Sequence, residues 1–368
     1  MGKVDKNKLE QLSKTLSGTL HWDSLHKHLY ATDASVYRML PLAVAYPKDE
    51  ADLIRLIHFA TTHQAGLIPR AAGTSLAGQC VGEGIVVDVS KHFTSILDLD
   101  IDKMQVRVQP GVIRDELNQY LQPFGLFFGP NTSTSNRCML GGMVGNNSSG
   151  TTSIRYGVTR DKVVALKALL SDGSKVEFRE LNPEEVANKV EEQTLEGKIY
   201  KNLINELKNS DIAENIVKEF PRAEIHRRNT GYAVDSLLEM APLSSGAGPF
   251  NLSKLLCGSE GTLVLTTEIT LQLDRLPPPK AAMIVPHYST LEDSLSDVAP
   301  VMKHPLFMCE MMDKVILDCT KNNLEHLENR FFVEGDPAAL LMLEVRADSS
   351  RALEERIEEV LSGLKARG

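Results

Sequence analysis

Residues 69–82 read Pro-Arg-Ala-Ala-Gly-Thr-Ser-Leu-Ala-Gly-Gln-Cys-Val-Gly, between an apolar run at 66–68 and a strand-like run at 85–89. Small residues let a backbone turn sharply and approach a ligand closely. Successive N–H groups in such a turn form a concavity that binds phosphate. Thr74, Ser75 and Gln79 add side-chain donors. The composition alone also suits an ordinary glycine-rich connection between strands, so a phosphate-binding loop is predicted only together with other segments.

A second segment, residues 129–150, reads Gly-Pro-Asn-Thr-Ser-Thr-Ser-Asn-Arg-Cys-Met-Leu-Gly-Gly-Met-Val-Gly-Asn-Asn-Ser-Ser-Gly. It shows little hydrophobic periodicity and is predicted to be a long irregular loop. Long loops inside compact domains are usually functional or disordered. The apolar residues between 139 and 144 argue against disorder. Its Ser, Thr and Asn side chains therefore predict a large polar ligand lying across the loop.

Two further segments, Arg228-Asn-Thr-Gly-Tyr232 and Gly258-Ser-Glu-Gly-Thr-Leu263, complete the set. Together the four segments resemble the FAD-binding domain of the vanillyl-alcohol oxidase and p-cresol methylhydroxylase (PCMH-type) superfamily. Within it they look most like the branch of glycolate oxidase, D-lactate dehydrogenase and D-2-hydroxyglutarate dehydrogenase. The resemblance runs from about Tyr30 to Leu273.

The resemblance implies an α+β fold, with a two-lobed PCMH-type FAD-binding domain followed by a partial ferredoxin-like α+β cap domain. FAD is expected to bind noncovalently between the two lobes. The residues implied to bind it are Pro69, Arg70, Ala71, Ala72, Gly73, Thr74, Ser75, Gly78, Gln79, Pro130, Asn131, Thr132, Ser133, Thr134, Ser135, Gly141, Gly142, Asn146, Asn147, Ser149, Gly150, Tyr156, Gly157, Glu260, Gly261, Thr262, Leu263 and Val264.

The chain departs from the family pattern at a few positions. Ala71 and Ala72 stand where the family commonly has glycine, and alanine penalises a positive φ. Val264 replaces another frequent glycine. Some relatives attach flavin to a histidine where this chain has Thr74, so noncovalent binding is expected, with a thiol linkage at Cys138 as the alternative.

Composition narrows the classes of protein. A length of 368 residues with 42% hydrophobic content suits two domains with buried cores. A net charge of −9 argues against nucleic acid as a partner. No apolar run approaches about 18 residues, so no transmembrane segment is expected. The five cysteines are scattered, which predicts reduced thiols. Together with the lack of an apolar signal core near the start, they predict a cytoplasmic protein, with a peripheral position at the inner membrane as the alternative.

The apolar pattern divides the chain at the stiff connector Pro277-Pro-Pro279. We expect an N-terminal helical segment at 1–36 and the FAD-binding domain at 37–276, with lobes at about 37–95 and 96–276. The first lobe reads as β-α-β-β around a small parallel sheet, and the second as β-rich. An amphipathic helix is predicted at 8–20 and a charged helical stretch at 183–209.

Residues 280–368 are predicted to be a truncated substrate-capping domain. Strands are expected at 282–285, 307–311 and 340–345, and helices at 289–302 and 350–364. The order resembles the family's ferredoxin-like cap without its completing strand, so the chain reads as an N-terminal fragment. In relatives a histidine-rich substrate and metal site follows, and a downstream iron–sulfur domain is an expected partner.

The chemistry follows from the flavin, which accepts hydride while the protein supplies orientation. Oxidation of a 2-hydroxy acid needs a base for the hydroxyl proton and a cation for the carboxylate. Arg346 is a candidate for the cation, Tyr156 and Tyr232 are expected to pack on flavin, and His226, His287 and His304 lack metal-ligand spacing. No catalytic base is assigned, and no metal is expected in this chain.

The leading hypothesis is an FAD-dependent oxidoreductase that oxidises a D-2-hydroxy acid such as D-lactate, glycolate or D-2-hydroxyglutarate and passes electrons to an external acceptor. An NADPH-dependent flavin reductase resembling UDP-N-acetylenolpyruvoylglucosamine reductase is one alternative. A non-catalytic FAD-binding subunit or fragment is another. The segment at Gly258–Leu263 and the proline-linked cap favour the leading hypothesis.

Overall fold

The computed structural model describes residues 4–222, 224–225, 227, 231–244, 248–321 and 323–365. The chain forms two compact units. The first consists of residues 1–148 and 158–274, and the second of residues 149–157 and 275–368. The first unit contains two apolar cores and the second contains one.

The first lobe of the first unit is a four-stranded sheet covered by helices. Its strand order is β1-β2-β4-β3, in which β2, β4 and β3 run parallel and β1 pairs antiparallel at the edge. The predicted small parallel sheet is thus present, and β1 was missed. The elements are α1 (Lys6–Thr15), β1 (Thr19–His21), α2 (Ser24–Leu29), β2 (Ala43–Tyr46), α3 (Glu50–His63), β3 (Leu67–Arg70) and β4 (Ile85–Asp88).

The predicted helix at 8–20 is too long, because α1 ends at Thr15. The backbone N–H groups of Ser17 and Gly18 each donate to the buried carboxylate of Asp52, at 2.8 Å. A Cβ atom on Gly18 would lie 2.0 Å from the carbonyl oxygen of Tyr46. This close approach turns the chain into β1, where Leu20 is buried.

The second lobe of the first unit is a five-stranded antiparallel sheet in the order β5-β6-β10-β8-β9. Along β10 buried and half-buried residues alternate, as expected for a strand with one face on a core. From residue 96 the elements are β5 (Ile96–Asp100), β6 (Gln105–Val108), α4 (Arg114–Leu121), β7 (Leu126–Phe127), α5 (Leu140–Asn146), α6 (Ser153–Tyr156), α7 (Thr159–Lys162), β8 (Val163–Leu169), β9 (Lys175–Phe178), α8 (Pro183–Glu191), α9 (Leu195–Leu207), α10 (Ser210–Glu219), α11 (Val234–Leu238), α12 (Ser253–Leu256), β10 (Leu265–Gln272) and β11 (Asp274–Arg275).

One expectation for this lobe needs correction. The segment 129–150 is not irregular throughout, because it contains α5, whose Leu140, Met143 and Val144 lie at helical spacing and are buried. The stretch 183–209 is helical, as predicted, and it consists of two helices. The chain breaks between α8 and α9, where the side chain of Thr194 caps α9 by accepting the N–H of Gly197.

The second unit contains an antiparallel sheet in which β15 pairs with β12, β13 and β14. The order β12-α13-β14-β15-α16 follows the predicted β-α-β-β-α cap, and α6 also belongs to this unit. No helix among the described residues is both long and apolar enough to cross a membrane. The elements are β12 (Lys280–Ile284), β13 (His287–Tyr288), α13 (Leu291–Val301), β14 (Met308–Asp313), α14 (Lys314–Lys321), α15 (Leu324–Leu327), β15 (Ala339–Ala347) and α16 (Ser350–Lys365).

Candidate functional site

The loop predicted to bind phosphate, which we call the phosphate loop (residues 71–84), connects the parallel strands β3 and β4. Gly73 and Gly78 have φ of 66° and 79°, a region that favours glycine. Neither Ala71 nor Ala72 has a positive φ, so alanine at these positions costs no backbone strain.

A row of backbone donors lies in the phosphate loop. Within the described part of the chain, the N–H groups of residues 72–76 have no hydrogen-bond acceptor. Residues 72–75 are half-buried and Leu76 is exposed, so the row is open to a ligand. Adjacent amides of this kind suit an anion such as a pyrophosphate, the group that joins the two halves of FAD. The loop therefore fits FAD.

Arg70 fixes the start of the phosphate loop. Its guanidinium donates to the carbonyl of Thr32 at 2.8 Å and lies over the ring of Tyr30, 4.9 Å from the centroid. The Tyr30 hydroxyl donates to the buried Asp88 at 2.5 Å, and burial with this bond raises the Tyr30 pKa far above its usual value. A Cβ atom on Gly73 would lie 2.5 Å from the Arg70 guanidinium. A side chain at position 73 would thus clash with the protein itself.

The phosphate loop is connected to two of the other predicted segments. The side-chain amide of Asn146, at the end of α5, donates to the Ser75 hydroxyl at 3.1 Å. That of Gln79 donates to the carboxylate of Glu260 at 3.2 Å. Three segments far apart in sequence therefore meet at one place in the first unit.

The turn at residues 258–263 packs against α5. The backbone N–H of Gly258 donates to the carbonyl of Val144 at 3.0 Å, and that of Glu260 to the carbonyl of Gly145 at 2.9 Å. Gly258 and Gly261 have φ of 95° and 75°. This explains the glycines of the motif.

The approach to α5, residues 129–139, is held by α4. The Arg114 guanidinium donates to the carbonyls of Pro130 and Phe128, at 3.1 and 3.2 Å. The hydroxyl of Ser135 donates to Asp115 at 2.8 Å. The thiol of Cys138 is buried, and burial raises its pKa, so it is a protonated thiol at neutral pH.

The predicted site residues divide between the units. Those at 69–79, 130–147 and 260–264 belong to the first unit, whereas Ser149, Gly150, Tyr156 and Gly157 belong to the second. Residues 228–230 of the third motif lie outside the described residues. Tyr232 from that motif places its hydroxyl 2.6 Å from that of Thr262. The ring of Tyr156 lies near that of Phe307, with centroids 6.2 Å apart.

Sequence reasoning missed Arg160, which is 8% exposed. Its guanidinium donates to the carbonyls of Lys254 and Cys257, and its backbone N–H donates to Asn147 at 2.8 Å. A Cβ atom on Gly258 would lie 3.0 Å from the guanidinium. Arg160 therefore supports the turn at 258–263, and no local pattern marks it as buried.

The candidate substrate-binding side chains of the second unit are engaged with their own unit. Arg346 donates to Glu344 at 2.6 Å and to the carbonyl of Pro278 at 3.3 Å. A ring nitrogen of His287 lies 2.8 Å from the carbonyl of Val285, and His304 lies 3.4 Å from Glu359. His226 lies outside the described residues. These contacts assign no catalytic base.

Known protein families match a part of each unit. Residues 41–179 match the family described as "FAD binding domain", and residues 277–368 match "FAD linked oxidases, C-terminal domain". A D-2-hydroxyglutarate dehydrogenase of Pantoea ananatis is 32% identical over 91% of this chain and 32% of its own length. The glycolate oxidase subunit GlcD of Bacillus subtilis is 33% identical over 46% of this chain and 37% of its own.

A solved structure of alkyldihydroxyacetonephosphate synthase matches with a TM-score of 0.65 at 15% identity, covering 99% of this chain and 60% of that protein. At this identity the match shows the fold alone, and it confirms the predicted fold class. The chain spans about a third of the length of the D-2-hydroxyglutarate dehydrogenases that it matches.

Proposed function

This chain belongs to the FAD-linked oxidases with a PCMH-type FAD-binding domain, and we propose that it is the flavin-binding part of a dehydrogenase that oxidises a D-2-hydroxy acid. The observation that carries the proposal is the meeting of the phosphate loop, α5 and the turn at 258–263 in the first unit. D-2-Hydroxyglutarate and glycolate are the substrates suggested by the names of the relatives, and D-lactate shares their chemistry.

In this proposal the first unit binds one FAD noncovalently. The amides of residues 72–76 hold the pyrophosphate, and the segment 130–147 contacts the rest of the cofactor. When bound, FAD supplies the hydride acceptor. The residues of this chain orient it: Arg70 and Asn146 hold the phosphate loop in place, and Arg114 holds the approach to α5. The domain boundaries that we propose keep FAD binding at 37–276 and the cap at 280–368, and they attach the segment at 1–36 to the first lobe, because β1 pairs with β2 in its sheet.

Substrate positioning is assigned to the rest of a longer protein. The relatives extend well beyond the length that this chain spans, and Arg346, His287 and His304 are engaged in their own unit. We therefore propose that the base and the carboxylate-binding cation lie outside the described residues. Electrons pass to an external acceptor, for which a downstream iron–sulfur domain is a candidate. The five unpaired cysteines support a cytoplasmic location.

The cap favours a dehydrogenase over an NADPH-dependent flavin reductase, because residues 277–368 match the C-terminal domain of FAD-linked oxidases. A second candidate function is a flavin-binding part that needs the remaining protein for turnover. The short span of the chain relative to its relatives favours this reading. The leading candidate predicts that the full-length parent reduces its flavin with a D-2-hydroxy acid, whereas a non-catalytic FAD-binding subunit does not.

Two measurements test the proposal. Acid precipitation of the purified chain is expected to release yellow FAD, about one per chain, into the supernatant, and flavin that stays with the pellet or is absent contradicts it. Anaerobic mixing with D-2-hydroxyglutarate, D-lactate or glycolate then reports flavin bleaching, with the L-enantiomers of the first two as controls. We expect slow or no bleaching by this chain and rapid bleaching by the full-length parent, because hydride transfer requires a positioned substrate. If none of the three acids bleaches the flavin of the full-length parent, the proposal of a D-2-hydroxy acid dehydrogenase is contradicted.

A further inference from the structure

Two histidines and an aspartate meet where β1 turns into α2. His21 is the last residue of β1, and Asp23 caps α2 by accepting the backbone N–H of His26 at 3.1 Å. One ligand atom from each of the three side chains lies within 4.8 Å of the other two. None of these residues belongs to the FAD site proposed above. The capping geometry brings Asp23 and His26 together, and the end of the strand adds His21.

Each histidine uses one ring nitrogen in a bond to the protein. Nδ1 of His26 lies 2.8 Å from Oδ2 of Asp23, and Nε2 of His21 lies 3.1 Å from the hydroxyl of Thr19. When these nitrogens carry the protons, Nε2 of His26 and Nδ1 of His21 present lone pairs. To ligate the same ion as Asp23, His26 must give up this bond and turn a ring nitrogen with a free lone pair toward the ion beside the carboxylate.

The two rings are stacked, with centroids 3.9 Å apart and planes inclined by 11°. Two protonated imidazoles repel each other at this distance, so the stack favours a neutral ring. Two rings stacked in this way can share an ion only after one of them rotates, and the His26 side chain is 26% exposed.

We propose that His21, Asp23 and His26 bind one divalent ion of the imidazole-preferring class, such as Zn²⁺, Ni²⁺ or Cu²⁺, with water completing the coordination. Imidazole ligands select these ions over Mg²⁺ and Ca²⁺, which prefer oxygen. Ligand atoms about 2.1 Å from Zn²⁺ lie roughly 3.4 Å apart in a tetrahedron. Ligand atoms of this group that are now as far as 4.8 Å apart must therefore approach by up to about 1.4 Å.

Three features weaken the site. Asp23 is exposed, one ring must rotate, and Lys91, whose ammonium lies over the ring of Tyr46 at 5.2 Å, adds a nearby positive charge. His21 meets the same ring edge-on, with centroids 5.7 Å apart. We therefore expect micromolar rather than nanomolar binding. The bound ion ties α2 to β1 and so stabilises the folded chain.

The test is calorimetric titration of the untagged, FAD-loaded chain with Zn²⁺. His21→Gln and His26→Gln should each weaken binding at least about tenfold. His28→Gln is the matched control, because His28 lies on the same helix but bonds the carbonyl of Ser24 at 2.7 Å. Asp23→Asn removes the charge and keeps a good helix cap, so it reports on the ligand without loss of α2.

Co²⁺ absorption and the melting temperature give independent readouts. Binding at this site is expected to produce a visible Co²⁺ spectrum that the His26→Gln protein lacks, and a Zn²⁺-dependent rise in melting temperature. No uptake of Zn²⁺ at about 100 μM overturns the proposal. An equal loss of affinity in His28→Gln also overturns it, as does unchanged affinity in folded His21→Gln and His26→Gln proteins.

Discussion

The phosphate loop and the segment at 129–146 contact each other, but they are held in place in different ways. The phosphate loop keeps the amides of residues 72–76 without an acceptor among the described residues, and its Leu76 is 81% exposed. The second segment buries Leu140 and Met143 at 1% exposure in the core of the second lobe. One is fixed by a few side-chain bonds at its edges, and the other by a packed helix.

The difference separates folding from cofactor binding. A change in the second segment disturbs a core and should lower the free energy of unfolding whether or not FAD is present. A change in the phosphate loop removes few contacts in the protein and should mainly lower FAD affinity. In the proposed FAD complex, the loop gains from the cofactor the kind of hydrogen bonds that the second segment already makes within the protein.

The largest effect is expected from adjacent glycines in α5. A Cβ atom on Gly141 would lie 2.6 Å from Cβ of Pro110, whereas one on Gly142 would meet Cβ of Ala71 at 3.6 Å. Gly141→Ala should lower the free energy of unfolding by about 2–3 kcal/mol. Gly142→Ala should leave it unchanged or raise it by up to about 1 kcal/mol, because alanine favours helix. Urea denaturation of the FAD-free proteins measures both, and equal losses contradict the packing of α5.

A slightly smaller effect is expected from Arg114→Met. The Arg114 side chain is 13% exposed, and its guanidinium donates to the carbonyls of Pro130 and Phe128. Its loss removes the guanidinium donor of the Pro130 carbonyl and leaves the Phe128 carbonyl with Asn118 alone, at 3.3 Å, so it should cost about 2 kcal/mol of unfolding free energy. Arg137→Met, on an exposed residue of the same segment, is the control and should change the denaturation midpoint little. A fall in FAD affinity without a fall in stability argues against a scaffolding role.

In the phosphate loop, Gly73→Ala tests the opposite behaviour. The backbone at residue 73 has a φ of 66°, which disfavours any side chain, and the new Cβ atom would lie 2.5 Å from the Arg70 guanidinium. Because the amide row shifts, the FAD dissociation constant should rise about 10- to 100-fold, while the FAD-free protein loses about 1 kcal/mol. Gly125 has a similar φ of 71°, and nothing lies within 4 Å of a Cβ atom added there. The Gly125→Ala control therefore measures the free-energy cost of the backbone angle without a clash. Flavin fluorescence titration gives both constants, and equal affinities in the two variants contradict this account.

The smallest effect concerns the bond between Gln79 and Glu260. At 3.2 Å on an exposed surface it should contribute about 0.5 kcal/mol. Gln79→Ala, Glu260→Ala and the double variant form a cycle in which the FAD dissociation constant is measured. A coupling free energy near zero means that the phosphate loop and the turn at 258–263 act independently.

The sequence anticipated the parallel sheet, the β-rich second lobe and the cap, because alternating apolar residues and turn signals are local. It missed α5, because glycine and asparagine disfavour helix even though Leu140, Met143 and Val144 have helical spacing. It also missed Arg160, whose burial depends on carbonyls almost a hundred residues away. Features set by long-range contacts leave no local pattern.

Hydrogen exchange of the chain with and without FAD tests the central claim most directly. The account predicts that amides of residues 72–76 exchange rapidly without FAD and become at least about tenfold more protected when it binds. The amides of α5 should be protected in both states, since they are bonded within a buried helix. FAD binding that leaves residues 72–76 unprotected would contradict the claim that these amides hold the cofactor's pyrophosphate.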